Sequence, residues 1–342
     1  PVLVFTGAWG FLHFWNISFH KNMKTSCAII ISHYESLPFL RACVRQIRKY
    51  KHPDIIQEII IADQSGGAIH NQLMSEFESP DIAIVWMKPL YSGYGIDYVM
   101  RFVEIPTEYI CQLHVDAFPI HKNWLYLSIK LMQENNFAFV GQNHFITKPT
   151  DTKYYYLKNM FYHMSPTFNI SRTEIYKEMA LNGGFTRYHE RKKIDVPMTF
   201  LNKDWDDWAS HDYDNRGSDD DVVASCWADN YREYDKLGLA TNFIIGAETP
   251  EEPGFGRIID DIVFHFGSCR ESIGVKEFMG SRYLNFSDRI KNGFDDDLLN
   301  ELLLLAKQNP KNSSRTVWNG KFKKAYNTSE ELNKKIEELK NE

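Results

Sequence analysis

His114-Val115-Asp116 sets an imidazole and a carboxylate on either side of one residue, at the end of the apolar run Tyr109-Ile110-Cys111-Gln112-Leu113 and just ahead of Ala117-Phe118-Pro119. Such a run reads as a buried strand. In open α/β sheets, ligands bind in the crevice outside the carboxyl ends of the strands, so two potential metal ligands stand where a ligand would come. A divalent ion held there can act as a Lewis acid on phosphate oxygens. Mg²⁺ and Mn²⁺ favour oxygen donors, and Mn²⁺ also accepts an imidazole. The same letters also fit a two-histidine, one-carboxylate iron site for oxygen chemistry. Purely structural roles stand beside these: Asp116 as a turn residue, and His114 packed under the site.

An alternation of strand and helix must position this motif. Cys27 to Ile31 is a continuous apolar run, expected as a buried strand. Ser36-Leu37-Pro38 offers an N-cap and an early-turn proline. Leu37, Leu40, Cys43, Val44 and Ile47 follow at helical spacing, with Arg41, Arg45, Arg48 and Lys49 on the other face. Glu58 to Ala62 reads as the second strand, running into Asp63-Gln64-Ser65-Gly66-Gly67, and the region around Ile69 to Phe77 as a helix. Strands are expected at Ile82 to Trp86, Tyr109 to Leu113 and Phe137 to Val140, and helices at Tyr94 to Val103 and Lys122 to Gln133. This order predicts an α/β fold, a three-layer α/β/α arrangement with a mostly parallel central sheet. Lys203 to Asp221, rich in Asp, Trp, Asn and Gly, reads as loop. Near the end, Asp295-Asp296-Asp297 suits a helix N-terminus, Leu298, Leu299, Leu302, Leu303 and Ala306 form an apolar face, and Thr328 with Glu331 resembles a capping box.

The 342 residues suffice for one large domain or two. A formal charge of −6 and the lack of a basic aromatic stripe argue against nucleic acid as a partner. Aromatic residues make up 14% of the chain, enough to serve both the core and carbohydrate-stacking surfaces. Cys27, Cys43, Cys111, Cys226 and Cys269 are odd in number and lack a C-x-x-C spacing, which fits reduced thiols in a cytosolic protein. Pro1 to Phe19 is apolar with His13 its only ionisable side chain, at the lower edge of a spanning length. Residues 1–22 are expected as an N-terminal extension ahead of Met23-Lys24, with a membrane-associated segment or an extra packed strand as alternatives.

Taken in order, these segments resemble family-2-like glycosyltransferases with the GT-A fold. Ile29 to Glu35 looks like the family's first strand and nucleotide-binding turn, with Tyr34 as the matching residue, and Glu58 to Ser65 like its second strand. Ser92-Gly93-Tyr94-Gly95 stands where the family has a glycine-containing loop and helix. Tyr109 to Asp116, with Pro119 and Trp124-Leu125, resembles its D-x-D segment, with His114 in place of the first aspartate and Asp116 as the second. Phe168 to Arg172 and Gly183-Gly184-Phe185 resemble the strand and turn before the acceptor site. Asp219-Asp220-Asp221, followed by Lys236-Leu237-Gly238, resembles the Glu-Asp-x-Asp helix start and its following turn, and Val263-Phe264-His265-Phe266 the late histidine segment. The likeness covers roughly residues 27–270.

What the resemblance implies is specific. Residues 23–290 would form the catalytic domain, with a nucleotide-binding half over 23–140 and an acceptor half over 141–290, followed by a C-terminal helical extension over 291–342. The reaction would move a sugar, with inversion, from a nucleotide-diphosphate donor to a glycan, lipid-linked saccharide or other hydroxyl acceptor in cell-surface or capsular polysaccharide synthesis. Mn²⁺ or Mg²⁺ would be held by Asp116 and His265, with His114 ligating, bonding a phosphate or packing. Tyr34, Glu35, Asp63 and Gly93 would line the donor, with Asp63 accepting a hydrogen bond from the base. Apart from the likeness, the glycines of Gly254-Phe255-Gly256 could hinge a lid and Arg257 could reach a diphosphate, with an ordinary flexible connection as the structural alternative. An inverting transfer needs a general base. The likeness points to Asp219 or Asp220, while Trp205-Asp206-Asp207-Trp208 supplies competing carboxylates; helix capping and solvated loop charge are the structural reading of both clusters. A cytoplasmic location is implied, with attachment at the inner face of a membrane left open.

Two other readings remain. His114, Asp116 and His265 match the ligand set of an Fe(II)/2-oxoglutarate oxygenase, with Arg270-Glu271-Ser272 as an oxoacid-binding segment; that fold would surround the motif with short antiparallel strands. A non-catalytic nucleotide-sugar-binding domain is the other.

Overall fold

The strand β1 (Thr25–His33) is the axis of the sheet, and its alternating side chains divide the core in two. In the computed structural model, which describes residues 25–87, 92–144, 163–181, 236–239, 241–243, 257–265, 295, 297–298, 301 and 330–342, Cys27, Ile29 and Ile31 point to one face and Ala28 and Ile30 to the other. Helices α1 (Leu37–Lys49), α2 (Gly67–Phe77) and α4 (Trp124–Asn135) cover the first face. Helices α3 (Ser92–Phe102) and α5 (Thr173–Leu181) cover the second. The three-layer α/β/α arrangement is therefore present, with every central strand of the sheet buried on both faces.

The remaining strands are β2 (Ile55–Asp63), β3 (Ile82–Trp86), β4 (Tyr109–His114), β5 (Ala117–Pro119), β6 (Phe139–His144), β7 (His163–Arg172), β8 (Lys236–Leu239), β9 (Thr241–Phe243), β10 (Arg257–Ile259) and β11 (Val263–His265). Among the described residues, β1 and six of these form the central sheet, in the order β3-β2-β1-β4-β7-β6-β8. β1 pairs in parallel with β2 and β4, and β2 with β3. β7 enters antiparallel between β4 and β6, so β6 and β8 again run with the majority. A second sheet of four short strands, β5-β11-β10-β9, is antiparallel throughout.

Several boundaries differ from the sequence reading for identifiable reasons. β2 starts at Ile55 rather than Glu58, because Gln57, polar in the pattern, is nonetheless buried in the ladder opposite Cys27. Ser36 occupies the position before α1, but its side chain makes no capping bond. Its backbone (φ −115°, ψ 42°) lies outside the extended region from which a side-chain oxygen reaches back to the helix, and its N–H donates to His33 Nε2 at 3.2 Å instead. Asp295 carries an ion pair to Lys49 Nζ at 2.6 Å and another to Arg45 at 3.2 Å, which joins the C-terminal segment to the basic face of α1. The final helix, α6 (Glu330–Asn341), buries Ile336 and Leu339 in the cluster that holds α1 and α4, and Asn123 Nδ2 donates to the Leu339 carbonyl at 3.0 Å. Residues 1–22, the loop over 203–221 and Thr328 lie outside the described residues. Cys27, Cys43 and Cys111 are buried free thiols. Among the described residues no helix is long and apolar enough to cross a membrane.

One close approach makes a direct prediction. Gly141 in β6 pairs with Asn169 in β7, and a Cβ there would lie 2.5 Å from the Asn169 Cα. Backbone, unlike a flexible side-chain tip, cannot yield cheaply. Gly141→Ala is expected to destabilise the protein by about 1–3 kcal/mol, read as a lower urea midpoint at unchanged slope.

Candidate functional site

β4 ends at His114, the chain turns through Val115-Asp116, and β5 leaves the central sheet for the small one. Val115 is buried in the main core and anchors the turn, so the residues on either side of it stay at the sheet edge. α1 buttresses the departing strand from below: Gln46 Nε2 donates to the Pro119 carbonyl at 2.9 Å, and the Cys43 thiol to that of Ala117 at 3.4 Å. Burial, helped by the Asp116 charge, pushes the Cys43 thiol well above its ordinary range, which keeps it a protonated packing group.

The second sheet then completes the cluster. β11 pairs antiparallel with β5 in the register His265 to Ala117, which sets His265 beside Asp116 although 148 residues (265 − 117) separate the two partners in the chain. His265 Nε2 lies 3.3 Å from Asp116 Oδ1, and His114 Nδ1 lies 4.0 Å from the same oxygen. The two imidazoles meet edge to face, with centroids 5.7 Å apart. One ligand atom from each of His114, Asp116 and His265 falls within 4.8 Å of the others. The Asp116 side chain is 4% exposed, His265 11% and His114 25%, so the cluster opens to solvent on the His114 side.

The donor set fits a divalent transition metal. Bonds of about 2.0–2.2 Å to nitrogen and oxygen hold neighbouring ligand atoms roughly 3.0–3.5 Å apart, a spacing the His265–Asp116 pair has at 3.3 Å, while His114 Nδ1 stands further off at 4.0 Å. The other nitrogen of His265, Nδ1, is buried and has no hydrogen-bond partner among the described residues. Three protein ligands with one open side leave coordination positions for a substrate.

The edge of β1 and β2 carries the other candidates. Asp63 ends β2 opposite His33, and its side chain is fully buried. Its Oδ1 accepts from His33 Nδ1 at 2.9 Å and from the Ser65 N–H at 3.0 Å, and its Oδ2 from His70 Nδ1 at 2.8 Å. Burial by itself would raise the carboxyl, but the bonds from His33, Ser65 and His70 outweigh it and hold Asp63 below the usual carboxylate range. Because Ser36 N–H donates to His33 Nε2, the His33 proton sits on Nδ1, facing Asp63. Glu35, at φ 50°, takes the left-handed turn between β1 and α1, and its N–H donates to Ser65 Oγ at 2.9 Å; Tyr34 beside it is 36% exposed. Gly93 lies in the first turn of α3, which packs tightly over Ser32 and Ala62 through Gly95. Arg257 opens β10 in register with His265.

The structure thus brings together His114, Asp116 and His265, places the Arg257 backbone beside them, and gathers Tyr34, Glu35 and Asp63 along the neighbouring strand ends. Asp219, Asp220, Asp206 and Asp207 lie outside the described residues. Sequence reasoning missed His33 and His70, whose only signal is their place at the last residue of β1 and one turn into α2. It also missed β5, three residues too short to show a period.

No family model matches the chain, and no curated protein does. Among solved structures, the chain is similar to a mannosyltransferase from Pyrobaculum calidifontis in complex with GDP-Man and Mn²⁺ (12% identity, TM-score 0.33), over 49% of this chain and 50% of that one. It is similar to residues 1–349 of TarS from S. aureus (12% identity, TM-score 0.39, 82% of this chain and 71% of that one). It is also similar to the galactosyltransferase LgtC in complex with donor and acceptor sugar analogues (10% identity, TM-score 0.39, 58% and 70%). The chain thus spans about half the length of the mannosyltransferase it resembles.

Proposed function

We propose that this chain is a glycosyltransferase of the GT-A type that moves a sugar from a nucleoside-diphosphate donor to a hydroxyl of a glycan or lipid-linked saccharide. The observation that supports it best is the convergence of His114, Asp116 and His265 at the carboxyl edge of a mostly parallel sheet, beside a strand end that the sequence likeness assigns to the nucleotide. Asp116 and His265 hold the ion, with His114 as a third donor. Of the two ions expected, Mn²⁺ suits the two imidazoles better than Mg²⁺, and bound there it would supply charge stabilisation to the leaving diphosphate. The chain's own residues do the rest. The Val115 anchor and the β5–β11 pairing fix the ligands in advance, so little reorganisation is needed on binding. Arg257, whose backbone pairs with His265 in β10, is the candidate cation for the diphosphate. Asp219 or Asp220 takes the acceptor proton, with Asp206 and Asp207 as the competing bases.

Preferential binding to the native state predicts the test. A nucleoside diphosphate with Mn²⁺ at about a hundred times its dissociation constant stabilises by ~2.7 kcal/mol, which in a chain of this size raises the melting temperature by about 4 °C. A panel of common nucleoside diphosphates, followed by a screen for diphosphate release from the matching nucleotide sugars, reads it. No shift with any of them would falsify the proposal, and binding without release or transfer would leave a non-catalytic binding domain.

The assembled two-histidine, one-carboxylate cluster also favours a second reading, an iron oxygenase. The surrounding sheet is mostly parallel with helices on both faces, not the jelly roll such a site is built on. Consumption of 2-oxoglutarate with Fe²⁺ would establish that reading in place of the transferase.

A further inference from the structure

We infer that His70, oriented by Asp63, is the residue that reads the base of the bound nucleotide, by accepting a hydrogen bond from a ring or exocyclic N–H. The inference rests on the donor-binding reading above and assigns its specificity. It starts from what Asp63 cannot do. With its side chain fully buried and three donors already on its two oxygens, Asp63 offers a ligand no surface. Whatever it contributes to binding it contributes through the groups it holds.

Of the two imidazoles on Asp63, His33 faces inward, with Nδ1 on Asp63 and Nε2 on the Ser36 N–H, and both its nitrogens are occupied. His70 differs. Its Nδ1 donates to Asp63 Oδ2 at 2.8 Å, and its ring lies flat on Trp86, with centroids 4.6 Å apart and planes inclined by 13°. Trp86 is itself fixed by its indole N–H on the Ser65 carbonyl at 3.0 Å. The His70 side chain remains 14% exposed. With Nδ1 on the carboxylate and one face on the indole, Nε2 is the polar atom left to face outward. Because the proton is held on Nδ1, Nε2 presents a lone pair. An acceptor held by a buried carboxylate and a stacked ring loses little rotamer freedom when it binds, which is how preorganisation raises affinity.

The position suits a nucleotide. His33 at the end of β1 is in register with Asp63, and Ser32 with His114. The β2 edge with His70 and the β4 edge with the metal ligands therefore flank β1, about 10 Å apart at two strand spacings. A nucleoside diphosphate laid across β1 would put its base at His70 and its phosphates at His114, Asp116 and His265.

The test measures binding rather than turnover. Calorimetric affinities are taken for the nucleoside diphosphate that the unaltered protein prefers, for the analogue of it methylated on the base N–H, and for inorganic pyrophosphate, each with Mn²⁺. His70→Ala is expected to weaken the nucleoside diphosphate about tenfold, the scale of one hydrogen bond, and to leave pyrophosphate unchanged. The methylated analogue is expected to bind the unaltered protein about tenfold more weakly than its parent, and to lose nothing further in His70→Ala. His70→Gln, which keeps an amide near the Nε2 position, should recover part of the affinity. Should His70→Ala fold poorly, the methylated analogue on the unaltered protein decides the matter alone. Equal binding of parent and methylated nucleotide, or a His70→Ala loss that falls equally on pyrophosphate, overturns the inference and leaves the donor reading standing. Failure of every nucleoside diphosphate to bind the unaltered protein removes both.

Discussion

Asp116→Asn is expected to weaken Mn²⁺ binding by on the order of a hundredfold or more and to reduce sugar transfer correspondingly. Asp116 is the shared acceptor of the cluster, with both histidines nearest to the same oxygen, Oδ1. It is also the only group of the three that brings negative charge. An amide of the same shape keeps the volume and removes the charge, so the change isolates electrostatics from packing. Loss of even an outer-shell partner of a metal ligand costs about 10–100-fold in affinity, and removal of a ligand itself exceeds that. Mn²⁺ titration followed by electron paramagnetic resonance checks the binding term without reference to turnover, and thermal unfolding of the metal-free variant checks that the fold persists. His265→Ala should weaken the metal similarly. If Asp116→Asn binds Mn²⁺ as the unaltered protein does, the cluster is a packing feature and the proposed chemistry has lost its centre.

Asp63→Ala is expected to destabilise the protein by about 3 kcal/mol, the scale for breaking a buried pair and stranding its partners. The carboxylate satisfies His33, His70 and the Ser65 N–H together. Removing it takes the carboxylate from His33, His70 and the buried Ser65 N–H at once and frees both the β1–α1 turn and the first turn of α2. The pH dependence carries a sign. Asp63 is held below its ordinary range in the folded protein, so its contribution is present above the unfolded carboxylate value of about 3.9 and is lost as pH falls through the lower folded value. Urea midpoints of the unaltered protein and Asp63→Ala should therefore differ most near neutral pH and converge as the medium is made acidic. Asp63→Asn should cost less, because the amide oxygen still accepts from His33 and Ser65. It must, however, turn an N–H toward His70 Nδ1, which shifts the His70 proton to Nε2 and should weaken nucleotide binding while sparing the fold.

Much of the layered architecture is written in local pattern. Apolar runs such as Cys27 to Ile31 and Ile82 to Trp86 have the length of buried strands, and the heptad-like spacing of Leu37, Leu40, Cys43, Val44 and Ile47 marks α1. These signals arise within a few residues and need no knowledge of partners. The errors fall where a partner decides. Gln57 looks like a strand breaker until its ladder neighbour Cys27 is known. Ser36 looks like a cap until His33 takes its N–H. β5 has no period of its own and exists because β11 pairs with it.

The same division runs through the site. His114 and Asp116 could be read as a ligand pair at a strand end because both lie on one short segment, and their spacing in the chain sets their spacing in space. His265 could be named only by likeness; its meeting with Asp116 is made by a three-residue antiparallel pairing between distant segments. Asp63 stood at a strand end by local pattern alone, yet whether it faced a ligand or the interior depended on two histidines that no periodicity singles out. By itself the chain determined its layers and the edge where chemistry would be found, because hydrophobic period and strand polarity are local properties. Only the tertiary structure decided which side chains meet at that edge, and which of them are sealed beneath it, because convergence and burial are properties of contacts between segments far apart in the chain.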